Sequence, residues 1–469
     1  MNWIEGIFSV IKNTTLNGLG VERDLNQLLT DKDISAAMNL FQNRDKEVTK
    51  ALLEYDPKEH KVMHRKDKLR KGKEPYKVQK LPRSWQRYIN EIALFFLLAK
   101  PIKWEMENVD ENNDAFTAFK EFLKDTRFNV TMRQAKRLAG AETESAKLYH
   151  LYKDENNLPK VKVVVLSKSE GYTLRPLFDQ YKNMIAFGYG YYLKEGTTTV
   201  EHFDIETPSI IYRCKKLKLG WDVTPIVNPT GKINVIYYQQ PKEWEGSEHR
   251  IDRDEEVDSR AGDTNNYFAD PMAKATADVL KGLADPDSIG KVIQLTGKDS
   301  SFEYVAPPTA SDMKDSEKKV LKESILMDTF TPDFSYENMS GMGTLSGEAL
   351  RRALIVGYIK RDNRLEVYDI NVDREKNLIL SIMMNVTHIP LRDQLSKLDI
   401  KHEFTEPFGE DLDKKIQVVA DAYVSGVLSL EQAVSMLGFT SDPKAEIARI
   451  IEDQKRKSQE SAFPMSEVA

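Results

Sequence analysis

His60 and His64 stand four residues apart, the spacing that would set two zinc ligands on one face of a helix. No glutamate sits beside them in an HExxH arrangement and no third ligand is marked, so the spacing reads as chance. A P-loop needs serine or threonine after its glycine-lysine to hold Mg²⁺. Here Gly290-Lys291 runs into Val292 and Gly297-Lys298 into Asp299, which excludes a P-loop ATPase. No Gly-x-Ser-x-Gly elbow offers a hydrolase nucleophile. Cys214 falls in a β-branched run and reads as a buried, inert thiol. Two acidic groups have the chemistry for a divalent cation, Asp252 to Glu256 and Asp369 with Asp373 and Glu375. Both read more simply as solvated or intersubunit helix faces. The sequence therefore assigns no catalytic residue, no cofactor and no metal ligand.

One glycine-rich stretch lies ahead of a helix, where a phosphate can be cradled. Its glycines, 341, 343 and 347, follow no clear strand and do not fit a dinucleotide site. The better reading is a flexible loop feeding a helix capped by Ser346. Arg351 and Arg352 in the first turns oppose the helix dipole, so an anion or an acidic partner is expected beside them.

The 469 residues suggest several modules, and 40% hydrophobic with 30% charged residues suits a chain with a real core. Its longest apolar run near the front, Ile92 to Ala99, is too short to cross a bilayer. One cysteine permits no intramolecular disulfide and points to folding in a reducing compartment. A net charge of −6, from 68 basic and 74 acidic side chains, argues against a domain built to grip nucleic acid. It is compatible with a surface that lets a polyanion slide past.

These residues are carried by an ordered series of elements. Residues 1 to 75 are polar and helix-prone and end in the basic run His60 to Lys73, read as a solvated loop, with DNA or an acidic partner as the alternative. Ser84 caps an apolar helix that stops before Pro101. Phe116 to Leu151 reads as helix broken near Gly140, and Lys160 to Gln240 as an antiparallel β module. Glu248 to Gly282 reads as helix, 291–295 with 302–306 as a small hairpin, and Ser311 to Asp328 as helix. Beyond the glycine loop, Glu348 to Thr387 has no proline and one glycine, Gly357. Its apolar positions, among them Leu350, Leu354, Tyr358, Leu365, Tyr368, Val372, Ile379 and Met383, step by three or four, predicting a helix roughly 60 Å long. A strand is expected at His402 to Phe408, then helices at 412–426, 429–438 and 443–459.

Four stretches in this order resemble the portal proteins of tailed, long-tailed-type phages. They are Tyr88 to Ile102 (YINEIALFFLLAKPI), Asp263 to Lys274 (DTNNYFADPMAK), Leu345 to Leu350 (LSGEAL) and Val424 to Gly438 (VSGVLSLEQAVSMLG). Each is weak alone; their order and spacing carry the likeness, which covers most of residues 80 to 455. The opening 75 residues match nothing in the family, and the β module matches by type only. The resemblance implies an α+β portal fold and a ring oligomer, usually a dodecamer, at one capsid vertex. It implies an N-terminal segment (1–79), a wing (80–245), stem helices (246–283 and 309–332), a β clip (284–308), a tunnel loop (333–346), a very long wing helix with a strand (347–408) and a helical crown with tail (409–469). Tyr336, Asn338, Met339, Met342, Thr344, Arg351 and Arg352 would then face the channel, and Val292, Gln294, Phe302 and Tyr304 the clip interface. The partners implied are further copies of the chain, loosely held double-stranded DNA, terminase, a head–tail adaptor, and the major capsid and scaffold proteins. Assembly in the host cytoplasm is implied, and no membrane. The rival readings are another capsid, tail or scaffolding protein without a DNA channel, and a metal-dependent nuclease. Neither explains a glycine loop followed by a 40-residue helix.

Overall fold

The computed structural model describes residues 24–70, 73–106, 113–269, 273–276, 279–281, 294–296, 301–304, 311–340, 347–408, 412–440 and 443–462. The chain forms two units, Met1–Pro332 with Val356–Thr405, and Asp333–Ile355 with Glu406–Ala469.

The first unit opens with α1 (Leu25–Thr30), α2 (Ile34–Leu40) and α3 (Asp45–Tyr55). Asp24 and Asp33 cap α1 and α2 by accepting the Gln27 and Ala36 amides, satisfying donors that a helix start leaves open. The basic run His60 to Lys73 is not a solvated loop. It holds a 3-10 turn, Lys61–His64, and the strand β1 (Lys68–Arg70), which pairs with β2 (Lys73–Tyr76). α4 (Trp85–Leu98) starts after Ser84, although the serine makes no side-chain cap. β3 (Lys103–Met106), α5 (Asn113–Asp125) and α6 (Phe128–Glu142) follow.

The helix expected to reach Leu151 ends at Glu142, and β4 (Glu144–Lys153) begins two residues later. The first six residues of β4 are buried. Tyr149 packs into the helical core while Ala146 and Leu148 pack into a second core with Phe187 and Tyr189, so both faces are covered and the one-sided alternation of a half-exposed strand is missing from its sequence. β5 (Pro159–Leu166) and, further on, β11 (Val235–Gln239) flank it. Between these run β6 (Thr173–Phe178), β7 (Met184–Glu195), β8 (Thr198–Glu206), β9 (Ile210–Lys216) and β10 (Trp221–Val227), an antiparallel sheet in the order β10-β9-β8-β7-β6. The antiparallel module expected here is present, and Cys214 is buried in its core with Phe203, Ile205 and Trp221.

α7 (Glu248–Ala269) ends thirteen residues short of the expected Gly282. Pro271 disfavours helix in the residue before it, and β12 (Ala273–Thr276) and β13 (Val279–Lys281) fall within the span expected to be helix. The expected two-stranded hairpin is instead a nested pair. β14 (Gln294–Thr296) pairs with β13, and β15 (Ser301–Tyr304) with β12. α8 (Ser311–Asp328) returns alongside α7.

The predicted long helix is two, α10 (Gly347–Ala353) and α11 (Ile355–Ile382), parted at Leu354, with α9 (Tyr336–Ser340) ahead of them. A π turn, Met383–Thr387, and a 3-10 turn, Ile389–Leu391, lead to α12 (Arg392–Ser396). The strand expected at 402–408 is β16 (Ile400–Glu403), paired with β3. α11 supplies Tyr368, Val372, Leu378, Ile379 and Ile382 to the largest core, with α4, α5 and α6. Its lone glycine has a packing reason. A Cβ on Gly357 would lie 2.3 Å from the Phe96 ring of α4, closer than any side chain is tolerated.

The second unit holds α9, α10, α13 (Leu412–Val424), α14 (Leu430–Leu437) and α15 (Pro443–Ala462). Ser429 caps α14 through the Gln432 amide, and Gly438 ends it in the left-handed region at φ 69°. Among the described residues no helix is long and apolar enough to cross a membrane.

Candidate functional site

α7 and α8 form an antiparallel pair tied by charge. Arg250 meets Asp328, Arg253 meets Glu317 at 2.8 Å, Lys318 meets Asp258 at 2.5 Å, and Lys314 bonds Thr264 at 3.1 Å. At one end Ile325 and Ile251 pack with Ile89 and Trp244. At the other, the nested strands join the two helices, β12 bonding to β15 and β13 to β14, so that each strand finds its backbone partners across the ribbon. Of the expected clip residues, Phe302 stands opposite Ala275, Tyr304 opposite Ala273 and Gln294 opposite Lys281 in strand register. Val292 lies outside the described residues.

The expected channel residues divide between α9 and α10. Tyr336 opens α9 and is 88% exposed, and Met339 is exposed as well. Asn338 donates to the Asp333 carboxylate at 2.9 Å, which also accepts the Ser335 amide. Met342, Thr344 and the expected cap Ser346 lie outside the described residues. Arg351 and Arg352 fall in the last turn of the seven-residue α10 and not at the start of a long helix, so the dipole favours them and does not call for an anion. Arg351 nonetheless meets Glu406 at 2.8 Å. Arg352 is exposed one residue on.

Each of the two acidic groups weighed as solvated faces is solvated only in part. Asp254 and Glu255 are buried against the segment before α4, where Asp254 accepts the Trp85 indole N–H at 2.8 Å. Glu255 accepts the Arg83 amide and meets His60, so His60 and His64 are no ligand pair. Lys61 reaches Asp252 and Arg65 reaches Asp263, so described members of the basic run serve an acidic partner within the chain. Asp369 and Asp373 remain exposed and flank His402. Glu375, fully buried, takes the Lys147 ammonium and the phenol hydroxyls of Tyr149 and Tyr238. No cluster of three or more metal-ligating side chains occurs among the described residues.

A second buried carboxylate, Glu243, escaped the sequence reading altogether. It gathers Lys136 of α6 and Lys360 and Arg364 of α11, at 2.5, 3.3 and 3.1 Å. Lys360 also donates to the Thr329 carbonyl at the end of α8, so this cluster fixes α8 to the long helix. Burial lowers the Lys360 ammonium to about 8 even with Glu243 beside it.

The described residues thus hold a helix pair joined by nested strands, a short helix before a glycine-rich stretch and a long helix with a buried ionic anchor. The family comparison says what such parts belong to. The model of the phage portal proteins described as SPP1 Gp6-like matches residues 34–460, so the family likeness begins at residue 34 and takes in much of the opening segment expected to match nothing. The chain belongs to this family. Portal proteins are structural components of the virion, forming a ring at a capsid vertex, which sets aside the scaffold and nuclease readings. No curated protein matches the chain. Among solved structures it is similar to a chain in the neck of an empty gene transfer agent particle computed with C6 symmetry, at 10% identity, covering 85% of this chain and 95% of that one, with a TM-score of 0.45. A chain from the neck of the native particle computed with C12 symmetry gives 11%, 85%, 94% and 0.43. One from the native particle's virion gives 11%, 84%, 93% and 0.41.

Proposed function

We propose that this portal subunit assembles into a dodecameric ring whose channel passes double-stranded DNA during packaging and ejection. The family match over residues 34–460 carries the reading. α7 and α8 are the stem, and the nested strands between Ala273 and Tyr304 are the clip that meets terminase and, later, the head–tail adaptor. Two-stranded ribbons are marginal alone, so Gln294, Phe302 and Tyr304, with Val292, are assigned to contacts between neighbouring clips. Residues 80–245 with the long helix form the wing against the major capsid and scaffold proteins, and residues 409–469 the crown. Assembly takes place in the host cytoplasm.

Tyr336, Asn338, Met339, Met342 and Thr344 face the DNA. Uncharged side chains suit a sliding backbone, because each phosphate gripped by a cation would add friction. Arg351, already neutralised by Glu406, and Arg352 stand behind this loop. The test is native mass spectrometry of the purified protein with negative-stain imaging. A ring near a dozen 53.8 kDa subunits with an open centre is expected. A monodisperse monomer or dimer at every salt and concentration tried would overturn it.

A further inference from the structure

Residues 79 to 83 lie along α7 in an unusual register. The amides of Gln79, Leu81 and Arg83 donate to the side chains of Asp263, Ser259 and Glu255, at 2.6, 2.9 and 2.9 Å. Alternate residues of an extended chain advance about 6.6 Å, and residues four apart in an α-helix about 6 Å. The two repeats match closely enough for three successive bonds. The segment therefore forms an antiparallel strap whose alternate amides are satisfied by helix side chains. Arg65 reinforces its far end, reaching Asp263 at 2.9 Å and the Gln79 carbonyl.

His60 closes the near end. Its side chain is 3% exposed. Nδ1 lies 2.6 Å from the Glu255 oxygen that also accepts the Arg83 amide, and Nε2 lies 2.8 Å from the Glu54 carbonyl oxygen. A carbonyl only accepts, so Nε2 carries a proton; a carboxylate only accepts, so Nδ1 carries the second. We infer that His60 is a proton-operated latch which, as imidazolium, fastens the 79–83 strap to the stem helix α7. Loss of its second proton leaves Glu255 buried without its counter-ion and loosens the bond between that carboxylate and the Arg83 amide.

The surroundings favour the charged ring. α7 presents Glu248, His249 and Asp252 beside Glu255, α3 presents Lys50 and Glu54, and Glu59 and Lys61 flank the histidine. Lys61 is paired with Asp252, and Lys242 with Glu54 and Glu248. Arg83 points its guanidinium at Asp254 and Asp258. Burial opposes protonation, but the bond and charge of Glu255, the Glu54 carbonyl and Asp252 outweigh it, and the ring is raised above its ordinary 6.5. A raised histidine stabilises fully below the unfolded value, and this contribution is lost as pH rises through the folded one.

Hydrogen exchange of the full chain read by mass spectrometry, from pH 5.5 to 9 and corrected for intrinsic rates, tests the latch. Protection of peptides covering 77–84 is expected to fall about tenfold as pH rises, while peptides from β7 and β8 hold steady. His60→Gln should weaken that protection at low pH and abolish its pH dependence, whereas His249→Gln should leave the transition in place. Glu255→Gln, which removes the charge but not the shape, should make the strap looser at acid than at neutral pH, because the buried ring then resists protonation. Unchanged strap protection across pH in the wild type, or the wild-type transition surviving in His60→Gln, would overturn the latch. Should His60→Gln fail to fold, the inverted pH response of Glu255→Gln still decides the matter. None of these outcomes depends on ring formation.

Discussion

Glu243 in the helical core and Glu206 in the β module are both almost completely buried, yet they are held in opposite ways. Glu243 receives two ammonium groups, the Arg364 guanidinium and the Gln240 amide at 2.8 Å. Burial alone would raise its carboxyl, but Lys136, Lys360 and Arg364 outweigh that and hold it well below the usual carboxylate range. Glu206 shares one cation with a second carboxylate. Arg213 lies 2.9 Å from Asp204 and 3.3 Å from Glu206. Burial, with the Asp204 charge against the pull of Arg213, pushes Glu206 up to about 7. Equal burial thus gives a permanent anion in one place and a titrating acid in the other, and the number of counter-ions decides which.

The largest effect is expected at the anion. Glu243→Ala strands three cations in the core and removes the anchor between α8 and the long helix. Breaking a buried pair from one side costs about 3–5 kcal/mol, a large part of a typical domain's stability. Urea unfolding of the variant should show this loss, and a loss under about 1 kcal/mol would mean that the cations relax to water and that the contrast with Glu206 is false.

At Glu206 the expected effect is a slope with pH. Its folded value, about 7, lies above the ordinary 4.5, so the native state keeps a proton that the unfolded chain has released. The contribution is fully present below 4.5 and is lost as pH rises to 7, a change on the order of 3 kcal/mol. Glu206→Gln, which mimics the protonated acid, should flatten the stability profile between pH 5 and 8. A profile as steep as the wild type's would assign the slope to other groups.

How far such sites were legible depends on what each residue's neighbours in sequence reveal. Glu375 is spaced seven and three residues from Tyr368 and Val372 and four from Ile379, so an acid on the apolar stripe of α11 was open to reading as buried and paired. It was grouped instead with Asp369 and Asp373, which share its helix but not its face. Glu243 sits in the loop before α7, where no period marks burial, and its three cations come from 107 residues before it to 121 after it. The basic run from His60 and the acids of α7 were each read alone as solvated, because nothing local says that two charged surfaces will cover one another. Caps and breaks fared better. Ser429, Gly438 and Pro101 act through bonds or sterics within a few residues, the first two placing a helix of the tail and the third the end of α4. The order of elements was legible from periodicity and turn residues, and that order carried the family likeness, while β4 was hidden because its buried half lacks alternation, and β12 and β13 because they follow α7 directly and were absorbed into it.

The α7–α8 pair gives the smallest expected effect and the cleanest control on the comparison. Arg253 and Glu317 meet at 2.8 Å, a distance like those around Glu243, but their side chains are 42% and 40% exposed. Water already screens each charge, so little desolvation cost is waiting to be exposed when one partner is removed, and holding two long side chains in one geometry costs entropy. Arg253→Ala, Glu317→Ala and the double variant should give a coupling of about 0.2–1 kcal/mol in a double-mutant cycle. That coupling should shrink further in 1 M salt, where the screening length is about 3 Å, while the loss at Glu243 should not. An α7–α8 coupling as large and as salt-resistant as that of the Glu243 cluster would mean that distance, and not burial with its counter-ions, sets the strength of these pairs.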